Sequence, residues 1–194
     1  MSTNPAPTDF PEPSSAAHQP WTAHRAEMPG DLSDIANALG LQPRMIGGRQ
    51  ALTDLVYRLE KVEYFQVFFL TRLANYDWAS HDRDPEIVVN NVMVLQNSPD
   101  SCRRSEESKW FSECLVRWRH YISIEMDMLV RVHGEDFLWF PQSRTQKDAF
   151  GYVLFLYMYL RSGKAPAIVS QLYADALRFV GNCLSDPEEW LREV

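Results

Sequence analysis

Residues 149–160 (AFGYVLFLYMYL) form a run of twelve with no charged side chain. The run is shorter than the roughly 20 residues that span a bilayer. A helix built from it has no polar side to turn toward water, so the rest of the chain must enclose it. A buried helix at the heart of a packed core is the expectation. Ten Phe, eight Tyr and six Trp in 194 residues supply the apolar area for such a core, because aromatic side chains carry the largest payload per residue.

Apolar spacing after residue 30 is helical. Leu32, Ile35, Ala36 and Leu39 share one face of a short helix that Gly40 stops. A long helix is expected over residues 49–76, with Leu52, Leu55, Val56, Leu59, Val62, Phe65, Phe69 and Leu73 on one stripe. Its second half, residues 65–70, is apolar almost all round, which predicts cover on more than one side. Asp84-Pro85-Glu86 reads as a cap, a first-turn proline and an acidic first turn, opening a helix through Leu95. Ile87, Val88, Val89, Val92 and Val94 pull that segment toward strand. Ser101 or Ser105 caps a second long helix that ends at His133-Gly134. Two further helices are expected over residues 145–161 and 166–184, with a last turn at Asp186-Pro187-Glu188. No internal repeat and no alternation of strand with helix is present. The predicted fold is an all-α, irregular helical bundle with two long central helices, and residues 31–194 form one domain.

Residues 1–30 hold Pro5, Pro7, Pro11, Pro13, Pro20 and Pro29 among small polar residues. That composition predicts a disordered tail, in which Phe10 and Trp21 are candidate anchors for a partner. Phe137, Leu138, Trp139 and Phe140 stand between two expected helices, where connections run over the surface. They are read either as a plug over the bundle end or as a partner-binding patch centred on Trp139.

A formal net charge of -7 argues against a protein that coats nucleic acid or an anionic membrane. Cys102, Cys114 and Cys183 are odd in number and form no CxxC pair, which fits a reducing compartment. The N-terminus has no basic stretch followed by an apolar one, so no secretory signal is expected. A cytoplasmic location follows as the expectation.

Residues 33–50 carry spacings that resemble a helix-turn-helix, with Ile35, Ala36, Gly40, Leu41 and Ile46 in the packing positions. In that reading Arg44, Arg49 and Gln50 reach bases. Gly47-Gly48 would then fall inside the recognition helix, at about 1 kcal/mol each. Arg117-Trp118-Arg119-His120-Tyr121 has the composition of a base-stacking strip. On a helix, however, Arg117 and Arg119 diverge by about 200° while Trp118 and Tyr121 share the apolar stripe, which makes the aromatics core.

Signals for other chemistry are thin. The five histidines make no compact ligand spacing with carboxylates, and His81-Asp82-Arg83-Asp84 is read as a polar loop, so no metal and no cofactor is predicted. No nucleophile elbow, phosphate loop or dinucleotide fingerprint occurs. Arg103 and Arg104 beside Cys102 would lower that thiol's pKa in a reactive-cysteine reading. Glu125 lies on an apolar stripe and needs a cation, with Arg58, Lys61 or Arg72 as the candidates. The expected function is that of a non-enzymatic helical interaction protein: an adaptor, a chaperone-like protein or a regulatory subunit. Its partner would be another protein or a second copy. The alternatives are a DNA-binding regulator using residues 33–50, and an enzyme whose site is assembled from scattered residues.

Overall fold

In a computed structural model the chain is described over residues 32–63, 65–97, 105–134, 141 and 143–185. The elements are α1 (Ser33–Ala38), α2 (Ile46–Leu59), a π-helical turn (Phe65–Phe69), α3 (Leu70–Leu73), α4 (Pro85–Asn97), α5 (Glu106–His133), α6 (Arg144–Arg161) and α7 (Ile168–Ser185). No strand forms among the described residues, and the all-α bundle expected from periodicity is the observed architecture. Phe10, Trp21, Cys102, the apolar residues Phe137, Leu138, Trp139 and Phe140, and the Asp186 turn lie outside the described residues.

Local chemistry sets the helix ends. Asp84 accepts from the Glu86 backbone N–H at 3.0 Å, and its carbonyl takes the first helical bond from Val88, with Pro85 opening α4. Val88, Val89, Val92 and Leu95 are buried at helical spacing, so packing of that stripe overrides the strand preference of β-branched residues. Ser105 caps α5 by accepting from the Ser108 N–H, and Gly134 ends it at φ 55°, where a side chain is strained. Ser143 and Gln146 form a reciprocal capping box at the start of α6. That box starts the helix one residue earlier than the expected Thr145.

Residues 149–160 are buried without exception. Helices α4, α5 and α7 all pack on α6, so it is the axial element of the bundle. Phe155 meets Phe65, Phe69 and Trp118 with ring centroids 5.4 to 6.2 Å apart and planes steeply inclined, the edge-to-face arrangement that ring quadrupoles favour. Trp78 stacks on Tyr159 at 5.8 Å. Tyr152, Tyr157 and Tyr159 are all enclosed. Each hydroxyl has a partner: His81, Arg161, and the carbonyls of Leu73 and Lys164 respectively.

The single long helix expected over residues 49–76 is broken. Chain turns at Glu60, Lys61 and Val62, where the N–H groups of Lys61 and Val62 reach back three residues, separate α2 from the π-helical turn. The reason is rotational. Val56, Leu59, Val62 and Phe65 follow each other in steps of three, and each such step drifts by about 60° on an α-helix. Val56 and Phe65 would face opposite ways on a straight helix, yet both are buried. Breaking the helix brings both to the core. The expectation that residues 65–70 are covered on more than one side is also corrected: Phe65, Phe69 and Leu70 are buried, while Val67 and Phe68 are 50% and 60% exposed.

Phe155→Ala is expected to cost about 3–5 kcal/mol, the usual range for a large aromatic removed from a core. Urea denaturation checks this; a loss below about 1 kcal/mol would show that the ring cluster is not the packing centre.

Candidate functional site

The π-helical turn carries Val67 and Phe68 on its outer side, and α5 runs beside it. Between them lies a groove of about 680 Å³ bordered by Val67, Phe68, Arg72, Trp110, Cys114 and Arg117, among others. The Arg72 guanidinium lies over the Trp110 ring, 4.4 Å from its centroid, which fixes a cation at one wall by attraction to the ring face. Cys114 forms part of the floor. Burial pushes its thiol up to about 12, against the opposing pull of Arg72 and Arg117, so it stays protonated and behaves as a small apolar residue. An apolar rim with Arg72, Glu113 and Arg117 beside it can hold a ligand.

A second groove, about 610 Å³, separates α2 from α5 and is lined by Tyr57, Arg58, Lys61, Tyr121, Ile124 and Glu125, among others. Arg58 is the partner of Glu125, which selects one of the three candidate cations. The pair is not buried: its side chains are 41% and 21% exposed, so it contributes little to stability. His133 Nε2 meets Asp54 Oδ2 at 2.8 Å, and Gln50 donates to the other Asp54 oxygen at 2.9 Å. Lys61 donates to the Tyr57 hydroxyl at 2.6 Å. The groove's polar groups are spent on one another.

A third cluster lies inside the core. His81 Nδ1 sits 3.1 Å from the Tyr76 hydroxyl and Nε2 3.0 Å from the Tyr152 hydroxyl. Phe111 packs on the imidazole with ring centroids 4.6 Å apart, and Trp78 at 5.3 Å. Burial lowers the His81 pKa to about 4. The neutral ring donates through one nitrogen and accepts at the other, so one phenol gives its proton to the bridge and the other receives one. Burial, with the charges of Glu107 and Asp77 adding to it, raises the Tyr76 pKa, and burial raises that of Tyr152. Neutral at every position, the bridge is a structural tie between the 76–81 loop and α6. Reading His81 as part of a polar surface loop missed this. The signal was the flanking Tyr76 and Trp78, both buried.

The residues of the helix-turn-helix reading lie on the turn after α1 and the start of α2. Arg49 donates to the Leu41 carbonyl at 2.8 Å and to Asn37 Oδ1 at 3.0 Å, closing the turn after α1. Gln50 is bound to Asp54, and Arg44 is exposed. Gly47 and Gly48 fall in the first turn of α2 instead of a helix centre. In the basic-aromatic stretch Trp118 is fully buried and Arg119 pairs with buried Asp148 at 2.8 Å, while Arg117 is exposed. Among the described residues no three His, Cys, Asp or Glu side chains come together as a metal site. No described helix is long and apolar enough to cross a membrane. Comparison with protein-family models, with characterised proteins and with solved structures finds no match.

The His81 bridge sets a pH dependence. Its folded-state pKa lies below the ordinary 6.5, so the unfolded chain binds a proton that the folded one refuses. The stability this site provides is fully present above pH 6.5. It is lost as pH falls toward about 4, by about 3 kcal/mol in all. Denaturation of wild type and His81→Gln at pH 7 and pH 4 checks this. The variant should lose about 3 kcal/mol less across the window, and equal losses would contradict the assignment.

Proposed function

We propose that the chain is a non-enzymatic helical interaction protein, an adaptor or regulatory subunit, that receives a partner segment in the groove between the π-helical turn and α5. The observation that carries this reading is the exposure of Val67 and Phe68 at the rim of a groove whose lining also holds Arg72 on the same wall and Glu113 and Arg117 on the α5 wall. Single π-helical turns are frequent at functional positions, and this one opens α3. Here the turn presents one apolar pair outward while Phe65 and Phe69 anchor it inward. An apolar rim beside guanidinium groups suits a segment that offers an aliphatic or aromatic side chain next to a carboxylate. Arg72 and Arg117 against the single carboxylate of Glu113 leave the lining net positive, opposite in sign to such a segment, whereas the whole chain is acidic. Cys114 and Cys183 are free thiols, which supports a reducing compartment such as the cytoplasm.

The test replaces Phe68 by Asp. Because the side chain is more than half exposed, folding stability is expected to change by less than about 1 kcal/mol. A photo-crosslinking residue at Val67 should capture one defined protein in the native host, with the adduct on an acidic-apolar segment, and F68D should abolish that adduct. Capture unaffected by F68D, or no defined adduct from either protein, would sink the reading.

A further inference from the structure

Helix α5 carries a pattern on the face turned away from the core that extends well beyond Glu113 and Arg117, the two of its residues that border the proposed partner groove. Glu113, Arg117, His120, Ile124, Asp127 and Arg131 follow each other in steps of four, three, four, three and four, and all six are exposed. That is the spacing of one face of a helix, shared by a solvated polar face and by a helix-pairing seam, although only Ile124 of the six is apolar, and it lies on the opposite side of α5 from buried Phe111, Leu115, Trp118, Ile122 and Leu129. The seam spans about 27 Å of helix.

Its charges are palindromic in the complementary sense. Read forward the seam is Glu, Arg, His, Ile, Asp, Arg. Laid against its own reverse, Glu113 faces Arg131, Arg117 faces Asp127, and His120 faces Ile124. Every charged position therefore meets its opposite in an antiparallel pair of copies. A parallel pair would set Glu113 on Glu113, Arg117 on Arg117, Asp127 on Asp127 and Arg131 on Arg131, which is repulsive throughout. From this self-complementary face we infer that the protein forms a two-fold symmetric dimer through antiparallel pairing of α5 with the α5 of a second copy.

Charge complementarity sets the direction and register of the pairing, and apolar side chains supply the attraction. Ile124 and Met128 are 44% and 48% exposed, as are Val130 and Val132 of the same helix at 45% and 75% outside the seam. In the antiparallel register Met128 falls opposite the half-buried Val116 of the other copy. Exposed ion pairs contribute at most about 1 kcal/mol each. Glu113 with Arg117 and Asp127 with Arg131 also stand at helical i,i+4 spacing, so the charges favour the isolated helix as well. The symmetry of the whole seam, with exposed Ile124 within it and Met128 beside it, is what points to a second copy.

Sedimentation velocity of the full chain across a concentration series tests the dimer. Wild type should show a reversible monomer–dimer equilibrium. I124E should weaken dimerisation by at least tenfold while circular dichroism and melting temperature stay near wild type. R117E should weaken it by about tenfold, and D127R should do the same. Combining R117E with D127R in one chain restores both inter-copy pairs and should bring the dissociation constant back toward wild type, although it puts like charges at i,i+4 within each helix. A parallel pair gives no such rescue. A wild-type chain that remains monomeric at all concentrations would overturn the inference. So would a dimer indifferent to I124E, or one that the double variant fails to restore. Arg117 borders the partner groove as well, so the two proposals are separated by the variants they do not share: I124E and D127R report on the dimer, and F68D reports on partner capture at Val67.

Discussion

A helix with no polar side imposes the layout of this molecule. Residues 149–160 of α6 are all buried, and enclosing a cylinder of that kind requires neighbours around its whole circumference. Helix α5 supplies one wall through Trp118 and α4 and α7 supply others, while the π-helical turn brings Phe65 and Phe69 against Phe155. No flanking element can be lost without exposing part of α6. The short α1, packed on α7 and closed by Arg49 on the Leu41 carbonyl, completes the outer layer.

The tyrosines of α6 convert this enclosure into a specific arrangement. A helix of Leu and Phe alone could rotate or slide within its apolar sleeve, because dispersion contacts are nearly indifferent to partner. Tyr152, Tyr157 and Tyr159 each need a hydrogen-bond partner when buried. The His81 and Leu73 partners tie α6 to the elements around it, while Tyr157 is met by Arg161 of the same helix and Tyr159 also by the Lys164 carbonyl just beyond its end. The His81 bridge is the strictest of these ties. Its imidazole is satisfied at both nitrogens inside an aromatic box, and the same burial that makes the bridge neutral makes it intolerant of a proton.

Much of this was legible in the sequence, and the failures have identifiable causes. Caps at Asp84 and Ser105 were readable because a side-chain acceptor and a following Pro or acidic turn are local features. The burial of residues 149–160 followed from the lack of a polar face. Arg58 was among the cations named for Glu125, but only the packing of α2 on α5 selects it over Lys61 and Arg72. The break after Leu59 was written in the three-residue steps from Val56 to Phe65, and it was overlooked because a stripe of apolar letters was counted without following its drift. The exposed rim of Val67 and Phe68 was misread for a related reason: an apolar run signals burial only if the chain around it can cover every side. The His81 bridge could not be derived from spacing, since its second phenol is 71 residues away. The partner candidates Phe10, Trp21, Phe137, Leu138, Trp139 and Phe140 fall outside the described residues, and the surfaces argued for here rest on other side chains.

Inner and outer faces of the same elements thus divide the labour: α5 and the π-helical turn hold α6 on one side and present apolar residues on the other. If enclosure of α6 is the constraint on which the fold depends, its backbone must open only when the whole bundle opens. Native-state hydrogen exchange measures this directly. Amides of residues 150–160 should exchange with a free energy equal to that of global unfolding and with the same denaturant dependence, while those of the π-helical turn exchange through smaller, local openings. Exchange of the α6 amides through local openings, at a free energy well below the global value, would contradict the account.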